Sequence, residues 1–148
     1  MSIPVNQPPG GAGNPTDPQP EQIRVLCVDD SPDVLRAIRM AITRQKDMVC
    51  VGSLQSADRL DEEVLSLRPD VILLDLTMPG RDPIEATALL ARTHASARVL
   101  AFSGYNDATR YDAVVKAGGW GLVSKDKGSV TILAAIRQVA TGEIVRPG

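Results

Sequence analysis

The chain has 148 residues and a formal net charge of −2, with a sequence pI of 5.3. This length fits one domain with a tail, and such a domain buries roughly two-thirds of its unfolded surface without disulfide or metal staples. No basic stripe is visible, so we expect no nucleic-acid binding through this chain itself. No stretch reaches the roughly 18 apolar residues of a membrane span, and no secretory signal opens the chain. We therefore expect a cytoplasmic protein without a membrane partner.

Composition divides the chain into a leader and a folded part. Residues 1–20 contain six prolines and three glycines. Such a segment cannot bury enough apolar surface to offset the entropy lost on ordering, so we expect a disordered leader, with a docking peptide as the alternative. The folded domain is expected at residues 21–145, followed by a tail at 146–148. Cys27 and Cys50 lie in apolar runs and are expected to be buried free thiols rather than a disulfide framework.

From residue 21 onward, short apolar runs alternate with stretches of helical periodicity. Strands are predicted at residues 24–28, 48–52, 71–74, 98–102 and 121–123. Helices are predicted at residues 32–44, 57–67, 84–92, a segment that ends at 116 after a cap at Asn106 or Asp107, and 129–140. Five such strand–helix units predict an α/β fold, a doubly wound five-stranded parallel sheet with helices on both faces.

Polar side chains follow four of the predicted strands at the points where those strands end. Asp29 and Asp30 follow the first strand, and Asp75 follows the third. Ser103 follows the fourth strand, and Lys125 lies just beyond the fifth. Because ligands of open α/β sheets bind outside the carboxyl ends of the strands, we expect these five side chains to converge on one site.

The residue types at this edge indicate a site for a hard cation and a phosphate. Carboxylates held together repel one another unless a cation lies between them, and Mg²⁺ prefers oxygen ligands and accepts phosphate oxygens. A lysine supplies a point charge for phosphate, and an aspartate can act as a nucleophile that forms an acyl phosphate. Taken singly, Asp29 or Asp30 could be a helix cap, Ser103 a turn residue and Lys125 an ordinary surface lysine.

Four motifs carry a resemblance to a known family: VDDS at 28–31, PDVILLDLTMPG at 69–80, SG at 103–104 and KD at 125–126. Through them, residues 22–145 resemble the receiver domain of bacterial two-component response regulators. The resemblance implies a flavodoxin-like fold with strand order 2-1-3-4-5, in agreement with the alternation of elements. Residues 134–143 are most similar to receivers of the NarL/FixJ type, which usually precede a helix-turn-helix domain.

The resemblance also implies roles for the residues of the site. Asp75 is the phosphoacceptor, which takes phosphate from a histidine kinase or a phosphotransfer protein. Asp30 binds Mg²⁺ directly and Asp29 largely through water, while Asp75 and the backbone carbonyl of Thr77 are further ligands. The resemblance further implies that the chain catalyses only its own phosphorylation and dephosphorylation. It also implies a role in transcriptional control and a second copy of the chain as a partner in a homodimer. By the same resemblance, Ser103 and Lys125 contact the phosphoryl group.

Two positions depart from the family pattern. Pro83 stands where the family usually has glycine, and because proline fixes φ and removes a donor, we expect a stiffer loop. Leu122 aligns with the family's switch position on the fifth strand, usually Tyr or Phe, whose ring rotates inward on phosphorylation. Leucine has no ring, so we expect phosphorylation to shift the population between the two states less than in receivers with an aromatic residue at this position. Trp120, two residues earlier, is expected on the same strand face as Leu122.

Two other functions remain as hypotheses. One is a receiver-like interaction module that works without phosphorylation, which Leu122 favours mildly and the intact set of acidic residues disfavours. The other is a Mg²⁺-dependent aspartyl phosphatase of the haloacid dehalogenase class. Those enzymes need a second aspartate two residues after the nucleophile, whereas Asp75 is followed by Leu76 and Thr77.

Overall fold

A computed structural model describes residues 21–104 and 108–147, and in this part of the chain the predicted alternation of strands and helices is confirmed. The expected leader and the cap at Asn106 or Asp107 lie outside the described residues. The strands are β1 (Ile23–Val28), β2 (Met48–Leu54), β3 (Val71–Asp75), β4 (Arg98–Ser103) and β5 (Leu122–Ser124). The helices are α1 (Pro32–Thr43), α2 (Leu60–Leu67), α3 (Pro83–Thr93), α4 (Ala108–Lys116) and α5 (Ser129–Ala140), with a 3₁₀ turn at Lys125–Lys127.

The strands form one parallel sheet in the order β2-β1-β3-β4-β5, as predicted. On one face, apolar residues of β1 and β3 pack with α1 and α5 in a single buried cluster. On the other face, α2 and α3 cover the sheet, and α4 adds a smaller cluster near β5. Every residue of β3 is buried because helices cover both faces of this central strand. None of the described helices is long and apolar enough to cross a membrane.

Side-chain caps at the N-termini of α1 and α3 fix the loops at the carboxyl edge of the sheet. The Ser31 hydroxyl accepts a hydrogen bond from Val34 N–H at the start of α1 (3.3 Å). At the start of α3, the Asp82 carboxylate accepts one from Ile84 N–H (2.9 Å). Pro83 therefore occupies the first helical position, where its missing N–H costs no hydrogen bond.

Two predicted boundaries differ from the structure by two residues or more, and the predicted burial of one cysteine also differs. The second strand continues to Leu54, and α2 begins only at Leu60 because a turn precedes it, in which Leu60 N–H donates to the Ala57 carbonyl (3.2 Å). Cys27 is buried as predicted, whereas Cys50 is only half-buried. Cys50 lies on β2, an edge strand that pairs with β1 alone, and such a strand has fewer neighbours to cover it.

The prediction that Trp120 shares a strand face with Leu122 is wrong. Leu122 is fully buried and packs with Ala101 on the face that α4 covers. Trp120 packs instead against the cluster of the α1 and α5 face, with the Arg98 guanidinium 4.7 Å from its ring centroid. Gly121 lies between the two residues with φ of 125°, and this left-handed conformation interrupts the alternation of a regular strand.

Gly121 also lets the C-terminal segment lie directly against the sheet. Gly121 forms a parallel bridge with Val145, and Leu122 N–H donates to the Val145 carbonyl (3.1 Å). A Cβ atom at Gly121 would lie 2.0 Å from that carbonyl oxygen, much closer than real contacts allow. The segment around Val145 is therefore part of the folded domain, and its position depends on a residue without a side chain.

We expect Gly121→Ala to lower the free energy of unfolding by about 3 kcal/mol, measured by urea denaturation, because it combines a positive φ with a steric clash. Gly142→Ala is the matched control. Gly142 has φ of 90°, but the nearest atom to its Cβ position is 3.9 Å away, so only the conformational cost of about 1 kcal/mol applies. Equal losses in the two variants would contradict a role for the contact with Val145.

Candidate functional site

The carboxyl ends of β1 and β3 bring three acidic side chains together. One carboxylate oxygen from each of Asp29, Asp30 and Asp75 lies within 4.8 Å of the other two. Asp29 is 2% exposed and Asp75 is 1% exposed, whereas Asp30 is open to solvent. Because β1 pairs with β3 in register, the residues at the ends of the two strands lie side by side. We call these three residues the acidic cluster.

Backbone N–H groups fix the two buried carboxylates of the acidic cluster. Ser31 N–H donates to Asp29 Oδ1 and Thr77 N–H donates to Asp75 Oδ1, each at 2.9 Å. In both cases the donor lies two residues after the aspartate, which is the geometry of an Asx turn. The loop that follows each strand therefore orients the carboxylate at the end of that strand through its Oδ1 atom. The Oδ2 atom of each carboxylate does not take part in this turn.

Lys125 supplies the positive charge of the site. Its Nζ lies 2.7 Å from Asp29 Oδ2 and 3.3 Å from Asp75 Oδ1, and 5.3 Å from the ring centroid of Phe102. Partial burial opposes the charged form, but the carboxylates of Asp29 and Asp75 outweigh it and raise the pKa of Lys125. The ammonium group is therefore held in its charged form against the acidic cluster.

Burial raises the pKa of Asp75 above its ordinary value, and the like charge of Asp29 adds to this effect. The hydrogen bond from Thr77 N–H and the charge of Lys125 act in the opposite direction. The carboxylate form of Asp75 is thus only partly compensated by the protein. A cation beside it would favour the ionised form, which is the form that can act as a nucleophile.

Two features of the acidic cluster bear on Mg²⁺ binding: the hydrogen bonding of its carboxylate oxygens and their chemical type. Among the described residues, Asp29 Oδ2 is paired with Lys125 Nζ at 2.7 Å, whereas Asp75 Oδ2 is buried without a hydrogen-bond partner. Buried oxygens in this condition are costly unless an ion or a water satisfies them. The acidic cluster provides three carboxylates, and carboxylate oxygens are hard ligands of the type that Mg²⁺ prefers. The acidic cluster therefore fits a divalent cation.

The structure places the remaining candidate residues at the same edge of the sheet. Ser103 is the fully buried last residue of β4, paired in register with Ser124. Thr77 is exposed in the loop after Asp75, where its N–H contacts that carboxylate, and a metal-ligand role for its carbonyl stays a prediction. Leu122 lies in the buried cluster beneath α4, which also contains Leu76, the residue directly after Asp75.

One contact beside Asp75 could not be predicted from the sequence. The Arg110 guanidinium of α4 donates a hydrogen bond to the Leu76 carbonyl (3.1 Å) and so joins this helix to the backbone next to Asp75. The neighbouring Tyr111 packs against the cluster that contains Leu122, and the Arg146 guanidinium lies 5.9 Å from its ring centroid. No sequence pattern indicates these contacts, because they join residues far apart along the chain.

Comparison with known proteins identifies the family. Residues 25–137 match the family model described as the response regulator receiver domain. The chain belongs to this family. Receiver domains are signalling modules of two-component systems, so the resemblance inferred from the motifs is confirmed.

Curated relatives of this receiver domain include regulators of transcription and of nitrate response. The nitrate/nitrite response regulator protein NarL of Escherichia coli (strain K12) is 33% identical over 125 residues, which cover 84% of this chain and 58% of that protein. The transcriptional regulatory protein LiaR of Bacillus subtilis (strain 168) is 31% identical over 121 residues, which cover 82% of the chain and 57% of that protein. The chain thus spans little more than half the length of these relatives.

Solved structures confirm the receiver fold. The signal receiver domain of the putative response regulator NarL from Mycobacterium tuberculosis is 27% identical with a TM-score of 0.79. The alignment covers 84% of this chain and all of that one. A two-component response regulator of the LuxR family from Aurantimonas sp. SI85-9A1 is 27% identical with a TM-score of 0.80, over 86% of this chain and 91% of that one.

Proposed function

We propose that this receiver domain takes a phosphoryl group from a histidine kinase or a phosphotransfer protein onto Asp75, with Mg²⁺, and then switches an output surface. The observation that carries the proposal is the acidic cluster with the Lys125 ammonium at 2.7 Å from Asp29 and 3.3 Å from Asp75. Cytoplasmic location, transcriptional control and a homodimer are parts of the same proposal. So is the division into a leader at residues 1–20, a receiver domain at 21–145 and a tail at 146–148.

In the proposed reaction, a carboxylate oxygen of Asp75 attacks phosphorus in the kinase's phosphohistidine. A P–O bond forms, the P–N bond breaks, and the freed imidazole nitrogen keeps the electron pair and takes up a proton. Asp29, Asp30, Asp75 and the Thr77 carbonyl would hold Mg²⁺. When bound, this ion supplies positive charge to the oxygens of the transferring group. Asp75 is oriented for attack by the hydrogen bond from Thr77 N–H.

Lys125 and Ser103 stabilise the phosphorylated form in this proposal. Before transfer, the ammonium of Lys125 is divided between Asp29 and Asp75. The phosphoryl group carries about −1.5 to −2 charges in place of the single charge of the Asp75 carboxylate, which makes phosphorylated Asp75 the stronger partner for that ammonium. Ser103 ends the strand next to β3, so its hydroxyl lies at the edge where the phosphoryl oxygens would be. Both contacts would hold the new charge in place.

Incubation of the full chain with acetyl phosphate and Mg²⁺, followed by intact mass spectrometry, tests this function. We expect an adduct of ~80 Da, the mass of a phosphoryl group, which does not form when a chelator has removed the metal beforehand. A chain that stays unmodified while it keeps its fold would overturn the proposal and favour an interaction module without phosphorylation. Steady turnover of an unrelated phosphate ester would instead support the aspartyl phosphatase.

We propose that the change reaches the output surface through α4. The Leu76 carbonyl, next to the phosphorylated residue, is bound by Arg110 (3.1 Å), and Tyr111 packs beside Leu122. A displacement of the β3–α3 loop would therefore move α4 without rotation of an aromatic ring on β5. Arg146, which lies over Tyr111, extends the contacts to the C-terminal segment.

We expect phosphorylation to shift the population between the two states less in the wild type than in Leu122→Tyr. The reason is that leucine has no ring whose position differs between the states. Moving an equilibrium from 1:99 to 99:1 needs roughly 5.5 kcal/mol of differential free energy. The measurement is the displacement of amide NMR resonances of residues 103–140 with and without beryllofluoride, a phosphoryl mimic. Leu65→Tyr, on the exposed side of α2, is the control for an added aromatic residue. A complete two-state displacement in the wild type, unchanged in Leu122→Tyr, would contradict this interpretation of Leu122.

A further inference from the structure

The loop at residues 76–82 leads from β3 to α3, and one of its residues, Arg81, is tied to the start of α2. Arg81 N–H donates to Asp58 Oδ1 (3.0 Å). The Arg81 guanidinium donates to Asp61 Oδ1 (3.1 Å) and to the Ala57 carbonyl (3.4 Å). Neither of these two aspartates is a member of the acidic cluster. We call the three contacts of Arg81 the loop anchor.

The loop anchor is closely packed and partly sheltered from solvent. Gly80 has φ of 90°, and a Cβ atom there would lie 2.8 Å from Asp58 Oδ1, so glycine lets the loop approach Asp58 this closely. The Arg81 side chain is only 25% exposed, so salt screens its ion pair less than a fully exposed one. Ala57 is fully buried beneath α2 and α3, and Met78 of the loop packs against the same apolar cluster. The loop is therefore held to α2 by polar and apolar contacts together.

We propose that Arg81 is a positioning residue, which holds the loop against α2 so that Thr77 lies beside Asp75 for Mg²⁺ binding. This inference rests on the proposed function, because it concerns the Thr77 carbonyl as a metal ligand. Thr77 is exposed, lies four residues before Arg81 in the same loop, and donates its N–H to Asp75 Oδ1 (2.9 Å). A loop that is already ordered binds its ligand more tightly than one that must be ordered on binding.

The charge of Arg81 and its contacts predict opposite effects on Mg²⁺ affinity. If the guanidinium acted only through its electric field, removing its positive charge would strengthen the binding of a cation to the acidic cluster. If it acts by holding the loop, its removal weakens binding, since the loop must then be ordered when the ion binds. We therefore expect Arg81→Gln to lower Mg²⁺ affinity by about threefold, the scale of one partly sheltered ion pair.

Isothermal titration of the full chain with Mg²⁺ tests this sign. Arg59→Gln is the matched control, because Arg59 is the chain neighbour of Asp58 and pairs with Glu62 (3.1 Å) rather than with the loop. It should bind Mg²⁺ at least as tightly as the wild type. Asp61→Asn should lower the affinity as Arg81→Gln does, and the double variant should lose no more than the weaker of the two single variants, because both changes break one contact. Unchanged or tighter binding in Arg81→Gln, or losses that add in the double variant, would overturn the proposal.

Two further readouts separate this role from a loss of folding and from failure of the proposed function. In metal-free Arg81→Gln, amide hydrogen exchange at Thr77 should be faster than in the wild type, with exchange at the buried Leu73 of β3 unchanged. Labelling by acetyl phosphate should need more Mg²⁺ to reach half its maximal rate, while the rate at saturating Mg²⁺ should match the wild type. A wild type that binds Mg²⁺ but is never labelled would overturn the proposed function, and the affinities would still decide the role of Arg81. Unchanged exchange at Thr77 in Arg81→Gln would overturn the positioning role.

Discussion

Asp75→Asn is expected to reduce phosphorylation by acetyl phosphate to the background level. Asp75 lies at the end of the central strand, buried, with one oxygen held by Thr77 N–H and the other without a hydrogen-bond partner among the described residues. An amide keeps the shape of the side chain and the acceptor for Thr77 but loses the anionic oxygen that attacks phosphorus. The substitution also removes one of the three repelling charges of the acidic cluster, so the fold should be at least as stable as in the wild type.

The measurement is intact mass after incubation with acetyl phosphate and Mg²⁺, with far-ultraviolet circular dichroism as the check of folding. Asp112→Asn is the matched control, because it makes the same chemical change at an exposed residue of α4. That variant should label like the wild type. Wild-type labelling of a folded Asp75→Asn would show that another side chain takes the phosphoryl group, and peptide mapping would then locate it.

Much of the fold could be predicted from the sequence because a parallel sheet covered on both faces requires continuous apolar strands. The run at residues 71–74 therefore located β3, and the alternation with helical segments gave the parallel topology. The convergence of Asp29, Asp30 and Asp75 follows from the same logic, since the ends of paired parallel strands share one edge. These are consequences of local patterns and of sheet geometry.

The remaining features depend on contacts between distant residues or on exceptional backbone conformations. Strand alternation predicts the wrong sheet face for Trp120, because the positive φ of Gly121 interrupts the alternation of side chains. The bridge from Gly121 to Val145 and the contact of Arg110 with the Leu76 carbonyl join residues more than twenty positions apart. No local periodicity reports such contacts, so only the structure shows them.

Asp30→Ala is expected to weaken Mg²⁺ binding by more than tenfold and to stabilise the metal-free domain. Asp30 is the exposed member of the acidic cluster, and it follows Asp29 in the loop where β1 ends. Loss of an outer-sphere partner alone typically costs metal sites about 10- to 100-fold in affinity, and removal of a carboxylate ligand should cost at least as much. Without metal, the same carboxylate only repels Asp29 and Asp75. Its removal should therefore raise the free energy of unfolding by on the order of 0.5 kcal/mol, the scale of exposed charge interactions.

Isothermal titration with Mg²⁺ and urea unfolding with and without the metal measure the two effects separately. Asp33→Ala is the matched control, since Asp33 is an exposed acid in the first turn of α1 outside the acidic cluster. It removes the same charge from the same end of the molecule and should change Mg²⁺ affinity by less than about threefold. In Asp30→Ala, the gain in unfolding free energy on adding Mg²⁺ should shrink in step with the weaker binding, because a ligand stabilises only the state that binds it. Equal affinities in the wild type and Asp30→Ala would remove Asp30 from the set of metal ligands. An equal loss in both variants would instead assign its effect to the general negative potential of this edge.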